Sequence, residues 1–406
     1  MQEDIKLAWR NIWRNKRRTA ITMASVFFAI YFALMMRSMQ LGTYSHAITG
    51  VVENYTGYLQ VHKNGYHDEK TIDMVMPLSD TVMTDIMDTG GVTAVIPRLE
   101  TFALGASENL TKPVMVLGVD PDAEHRMTKI EEKITAGTMV REGDNGALLG
   151  VDLAKYLGLG IGDTLTMIGQ GYHGASAAGL YVVQGLISFS MPAMDSRVVV
   201  LHLSEAQYFS SAFEMVSSLL INIDDPDDVE EIQTALSEKL GSEYEVRTWQ
   251  EISPELVQQI ESDQAGGYII LALLYMIVGF GVFGTVLMMT TERKREFGVM
   301  VAVGMQKTRL SVILAYEMML MGLSGIIAGV IGSIPLIYLM HLHPLRFGGD
   351  TAEMMASYGY EAIMPFAWQA DFFFGQAGVV FLIFLIAIVY PLYATSKIKV
   401  IKALRA

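Results

Sequence analysis

TAITMASVFFAIYFALMM (Thr19–Met36) is a run of 18 residues without a single charge. At 1.5 Å per helical residue it comes close to the ~30 Å of a bilayer's hydrocarbon core, which takes about 20 residues to cross. Arg37 closes the run. Its long side chain can reach back to the interface, so the helix is expected to continue beyond it. Working outward, three more uncharged runs follow: Gln264–Thr291, Met318–Met340 (preceded by Glu317) and Phe372–Ser396. The chain of 406 residues is 51% hydrophobic and 18% charged, whereas roughly a quarter of a soluble domain is charged. The apolar residues are concentrated in these runs, so the composition describes membrane spans rather than one large core.

The expected fold is an α-helical membrane protein with four transmembrane helices. A large α/β extracytoplasmic (periplasmic) domain lies between the first and second. The spans are placed at residues 19–41, 265–291, 310–340 and 372–396, and the outer domain at 42–264. A cytoplasmic interfacial helix occupies 1–18 and a short loop 292–309. A second outer segment covers 341–371, and a tail 397–406.

Charge sets the orientation. Residues 1–18 hold Lys6, Arg10, Arg14, Lys16, Arg17 and Arg18 against Glu3 and Asp4. The loop after the second run holds Arg293, Lys294, Arg295, Lys307 and Arg309 against Glu292 and Glu296. The tail adds Lys397, Lys399, Lys402 and Arg405 with no acid. Lys and Arg near span ends mark the cytoplasmic side. Both termini and the 292–310 loop are therefore expected inside, in a multi-pass protein of a bacterial cytoplasmic (inner) membrane. The formal net charge of −14 thus hides a basic inner side and a strongly acidic outer one. Positive-inside bias explains the basic clusters without nucleic acid as a partner. The basic lead-in is long, its apolar run is span-length and no small-x-small cleavage site follows, so the first run reads as an uncleaved anchor. There are no cysteines, so disulfides are excluded.

Residues 5–18 read as an amphipathic helix. Ile5, Trp9, Ile12 and Trp13 share one face, and Lys6, Arg10, Arg14 and Arg17 another. Such a helix lies in the interface, as a lever or as a plain anchor. In the outer domain, strands are expected at 57–61, 113–119, 164–167, 181–187, 197–203 and 217–223. Helices are expected at 152–157, 204–210 and 227–240, with Ser204 and Asp227 as N-caps. Irregular alternation suggests mixed sheets in two lobes. Gly169–Gly179 (GQGYHGASAAG) reads as a flexible loop, and residues 250–265 as a helix running into the second span. Small residues, among them the Gly325/Gly329 pair of a GxxxG, suit close helix packing.

Chemistry is sparse. No Walker A sequence, HExxH or GxSxG is present, so neither a catalytic site nor a nucleotide site is expected on this chain. His341 and His343 form an HxH beside a span, with His173 in the glycine stretch; these fall short of a convergent ligand set, and no metal is expected. Glu317 directly precedes the third run. Acids inside membranes are functional candidates; the plainer reading is a carboxylate paired with a nearby Arg or Lys.

Three segments carry a family resemblance. ERKREFGVMVAVGMQKTRLSVILAYE (Glu292–Glu317) resembles the cytoplasmic loop of MacB/FtsX-type ABC transporter permeases, with its ER-x-x-E-[IF]-G start, central A-x-G and downstream Glu. LAWRNIWRNKRRTAIT (Leu7–Thr22) resembles the family's basic lead-in to the first span. YPLYATSKIKVIKALRA (Tyr390–Ala406) resembles its closing pattern, with Val400 where proline is usual. The stretches Gly118–Pro121, Leu148–Met167, Val183–Ile187 and Asp195–Leu203 resemble the outer domain of LolC/LolE lipoprotein-releasing permeases.

The resemblance implies a pair of permeases, identical or paralogous, on a pair of ATPase subunits that bind the ATP and Mg. A helix from Arg293 to Gly304 would dock on the ATPase. Glu292, Arg293, Arg295, Glu296, Phe297, Gly298, Met300, Gly304 and Arg309 are its coupling residues, with Phe297, Met300 and Val301 as the apolar anchor. ATP binding would tilt the outer domains, a process called mechanotransmission. Phe28, Phe32, Met35, Met36 and Tyr268 are expected to contact lipid or substrate. Three functions compete: lipoprotein release to a periplasmic carrier or MacB-like efflux through an adaptor; FtsX-like signalling to a periplasmic partner; and a membrane enzyme, which the missing catalytic constellation disfavours.

Overall fold

The structure is a computed structural model and describes residues 2–14, 16–189, 191–357 and 362–397. The tail residues Lys399, Lys402 and Arg405 lie outside the described residues. The chain divides into two compact units, one of residues 1–45, 259–346 and 363–406 and the other of residues 46–258 and 347–362.

The first unit is helical. Helix α1 (Gln2–Arg14) is followed by α2 (Lys16–Val51). Lys16 and Arg17, expected in the interfacial helix, lie at the start of α2. That helix runs well past Arg37. The other span helices have bounds Pro254–Glu292, Lys307–Leu342 and Ala370–Ser396. Among the described residues, four helices are thus long and apolar enough to cross a membrane.

Glycines set how closely they pack. A Cβ built on Gly325 would lie 2.8 Å from Val26 Cβ, and one on Gly322 would lie 2.6 Å from the Phe384 ring. Both distances are below van der Waals contact, so the third span holds the first and fourth at a separation only glycine permits. Val26, Ile30, Leu34, Val286, Met321 and Phe384 form the core between the helices.

The second unit is built on one ten-stranded mixed sheet. Its strands in chain order are β1 (Leu59–Lys63), β2 (Val92–Ala106), β3 (Thr111–Val119), β4 (Ile134–Gly137), β5 (Gly146–Gly150), β6 (Thr164–Gln170), β7 (Ser176–Ile187), β8 (Val198–His202), β9 (Ser218–Ile223) and β10 (Tyr244–Thr248). The pairings β2–β3, β3–β8, β8–β5, β5–β7, β7–β6 and β6–β2 return to their start, so six strands close a ring. The first half of β2 pairs instead with β9, which leads to β1 and β10. One long strand therefore belongs to both a closed barrel and an open sheet. The expected mixed sheets are strands of one continuous sheet.

The barrel interior is filled by Ala103, Val114, Val116, Leu149, Leu165, Met167, Tyr181 and Val199. These alternate with outward residues, as the two-residue period of a strand requires. The glycine-rich segment is strand rather than flexible loop. Gly169 and Gly179 lie in β6 and β7, and the turn closes with Gly171 N–H donating to the Ala175 carbonyl at 2.7 Å. A Cβ on Gly169 would sit 2.9 Å from the Phe102 carbonyl oxygen; there glycine serves close strand approach rather than mobility.

Helices at Val151–Leu157, Leu203–Ser210 and Val229–Leu240 cover the sheet. Their starts differ from expectation. His202 rather than Ser204 accepts from the first turn, and Asp225 rather than Asp227 caps the short turn ahead of the third helix. A separate turn, Trp249–Ile252, carries a Thr248/Glu251 capping box and ends before Pro254, so the helix expected to run unbroken from residue 250 is interrupted there.

One buried ion pair ties β2 to the helix Pro121–Thr128. Arg98 and Glu124 are both fully buried. Arg98 Nε donates to Glu124 Oε2 at 2.9 Å, and its terminal nitrogens reach Glu124 Oε1 and the Tyr55 carbonyl. Among neighbouring groups, His62 is also buried, bonded through its ring to the Ser217 carbonyl and Gln60. Burial pushes its pKa down to about 4.

Candidate functional site

The site is the loop between the second and third spans, with the helices that hold it. For the membrane unit, α3 denotes Pro254–Glu292, α4 Lys294–Ala302, α5 Lys307–Leu342 and α6 Ala370–Ser396. Helix α4 ends by a Schellman arrangement. Met305 N–H donates to the Met300 carbonyl at 3.0 Å and Gly304 N–H to Val301 at 3.1 Å. Gly304 has a φ of +107°, a conformation glycine reaches without the Cβ penalty. Phe297, Leu310 and Leu314 are buried together, flanked by Met300, Val301 and Met305. This cluster seats α4 on the first turns of α5.

At the α3–α4 junction, Arg293 is 4% exposed and Glu317 of α5 only 2%. Arg293 Nη1 donates to both Glu317 oxygens, at 2.7 and 2.8 Å. Asn11 of α1 donates to Glu317 Oε2 at 3.3 Å. Around this centre lie more exposed ties. Arg14 of α1 pairs with Glu296 of α4, and Arg309 of α5 bonds Asp4 of α1 at 2.9 Å. Helix α1 thus turns Asp4, Ala8, Asn11 and Ile12 toward the protein and leaves Trp9 and Trp13 half exposed. The expected single apolar face is divided: Ile12 is buried, whereas Ile5, Trp9 and Trp13 face outward.

The expected coupling residues separate into two groups. Arg293, Phe297 and Gly298 are buried and Met300 is half-buried, so they hold the helix rather than present it. Glu292, Arg295, Glu296, Gly304 and Arg309 are exposed. Two residues the sequence reading missed complete the outer face: Val299 is 46% exposed and Val303 84%. With Arg295 they follow at i, i+4 and i+8, one stripe of a helix. That spacing was visible in the sequence. Which of the two apolar stripes would be buried was not.

At the other end of the spans, Phe32, Met35 and Met36 line an open apolar cavity of about 340 Å³ with Met39, Ile270, Leu274 and Phe366. Phe28 stacks on Phe32 but is not in the lining. Tyr268 lies elsewhere, under the Arg37 guanidinium at 5.3 Å. Beside the cavity a polar clamp joins α2 to α3. Tyr44 O–H donates to Asp263 Oδ2 at 2.6 Å, and Gln40 Nε2 donates to the Tyr44 oxygen at 2.7 Å. Gly267 leaves room for Gln40, whose amide nitrogen would lie 2.1 Å from a Cβ there. Of the histidines, His341 bonds the Phe366 carbonyl at 2.7 Å, and His173 lies in the β6–β7 turn.

Four apolar helices, a barrel-bearing domain inserted after the first, and a short latched helix between the second and third define a multi-pass membrane permease. Residues 19–239 match the MacB-like periplasmic core domain family, and residues 268–400 the FtsX-like permease C-terminal family. The chain belongs to the MacB/FtsX family of ABC transporter permeases, proteins of the inner membrane.

Among curated relatives, it is similar to the lipoprotein-releasing system transmembrane protein LolC of Neisseria meningitidis serogroup B, 22% identical over 77% of this chain and 75% of that protein. LolC of Xylella fastidiosa (strain Temecula1) is 21% identical over 61% of each chain, so the match spans less than two thirds of that relative. The macrolide export ATP-binding/permease protein MacB of Hyphomonas neptunium is 21% identical over 83% of this chain and 53% of that protein.

Proposed function

We propose that this chain is the permease subunit of a lipoprotein-releasing ABC transporter that works by mechanotransmission. The observation that carries the reading is the cavity between α2, α3 and Phe366, about 340 Å³ and lined only by apolar side chains. A groove of this character suits acyl chains drawn from the outer leaflet, with methionines adapting to their shape. Relatives named for lipoprotein release support the same choice.

The power comes from a separate ATPase pair. Arg295, Val299 and Val303 form the stripe on which that ATPase docks, with Glu292 and Arg309 as flanking charges. Both termini and the loop then lie in the cytoplasm, where positive charge belongs. ATP binding moves α4; the continuous helices α2 and α3 carry the motion outward, and the acyl chains leave the groove. A second permease copy or paralogue completes the transporter. A carrier or adaptor meets the outer domain at the exposed stripe of Phe102, Leu104, Ile168 and Leu180. Efflux is the second reading, favoured by the MacB relative's alignment over 83% of the chain.

The test is substitution of Phe32→Asp and Met36→Asp in the permease–ATPase complex reconstituted in vesicles. Both are expected to abolish release of a triacylated lipopeptide while the ATPase stays bound. Undiminished release would refute the assignment of the cavity.

A further inference from the structure

The ion pair at the α3–α4 junction does more than neutralise a charge. Glu317 receives the Arg293 guanidinium on both oxygens and the Asn11 amide on one. It therefore joins three elements: the N-cap residue of α4, the third span and the N-terminal helix. The three are also held by the Phe297, Leu310 and Leu314 cluster and by the Arg14–Glu296 and Arg309–Asp4 ties. A carboxylate and a guanidinium at this depth attract each other through a low dielectric, and one guanidinium nitrogen, Nη1, is shared between both carboxylate oxygens. Further along α5, Gly322 meets the Phe384 ring of α6, and Gly325 and Gly329 admit Val26 and Ile30 of α2.

We propose that Glu317 is the positioning residue that makes the third span the first receiver of the stroke, binding α4 through Arg293 and α1 through Asn11 to one point on α5. This rests on the reading above that an ATPase docks on α4. Motion of α4 then reaches α2 through α5 rather than only along α3, and α1 moves with it as one rigid block. Severing the pair uncouples hydrolysis from movement and leaves the docking stripe, which faces the other way, in place.

The experiment uses the full chain with its ATPase in vesicles and reads triacylated lipopeptide released per ATP hydrolysed. Glu317→Gln is expected to retain the ATPase and to lower release per ATP at least tenfold. Arg293→Lys, which keeps the charge but gives up the Nε bond to Glu296, is expected to fall between it and the native chain. The reversed pair, R293E with E317R, is expected to regain release to within threefold, which assigns the loss to the contact between the two side chains rather than to either one alone. Asn11→Ala, which leaves the buried pair intact, reads the α1 arm alone and is expected to lose about threefold. Native release per ATP in Glu317→Gln, or a reversed pair no better than the single variant, would overturn the proposal. If the native complex hydrolyses ATP but frees no lipopeptide, the release reading fails instead. The same variants are then read on stimulation of the ATPase by the permease: loss in Glu317→Gln with recovery in the reversed pair supports the latch, and unchanged stimulation overturns it.

Discussion

Ile30 of the first span rests against Gly329 of the third, so closely that a Cβ on Gly329 would lie 2.9 Å from the Ile30 Cβ and from the Phe27 carbonyl oxygen. Gly329 and Gly325 are therefore spent within the chain. Gly281 and Gly284 of the second span have nothing within 4 Å of a built Cβ. Gly329→Leu is expected to destabilise the membrane unit by about 1–3 kcal/mol through overpacking. Gly281→Ala is expected to leave the thermal midpoint in detergent unchanged. A midpoint that falls with Gly281→Ala and not with Gly329→Leu would invert the assignment.

The outer domain should weaken in mild acid, and His62 gives one reason. Its folded pKa of about 4 lies below the ordinary value of about 6.5. As pH falls through that window the unfolded chain takes up a proton that the folded chain refuses. Stability present above about pH 6.5 is lost progressively down to about pH 4, by about 3 kcal/mol for this group. Denaturant unfolding of the full chain in detergent, followed through the outer domain, should show the slope. His62→Gln should flatten it between those limits; an unchanged slope would remove His62 as its source.

Breaking the Arg98–Glu124 pair on one side should cost more than removing both partners. Glu124→Ala leaves a fully buried guanidinium without its carboxylate, and about 3–5 kcal/mol of stability is expected to go. The double replacement R98M with E124L should recover most of it, because apolar side chains need no partner there. Urea midpoints of the three chains in detergent make the comparison. Equal loss in the single and double variants would count against the pair.

The spans were readable because an uncharged run of bilayer length needs no partner to be recognised. Tertiary pairing was readable only in part: Glu317 is expected to pair with a nearby Arg or Lys and does, but that its partner is Arg293, 24 residues earlier, is not written in the local pattern. β2 escaped notice because Pro97 and Gly105 interrupt its pattern, although Pro97 sits opposite Leu219 in the sheet. The barrel's closure rests on Leu104 meeting Ile168, a contact that no local periodicity announces. The cavity was half legible. Met39 shares a helix face with Phe32 and Met36, but Phe366 reaches it from the loop before the fourth span.

One cysteine tests whether α4 faces a cytoplasmic motor. The chain has no cysteine of its own, so Val303→Cys, at the more exposed of the stripe's two valines, would be labelled without background. A membrane-impermeant maleimide is expected to label it in inverted vesicles and not in intact cells, and the bound ATPase is expected to protect it. Labelling from outside intact cells, or no protection by the ATPase, would contradict the account.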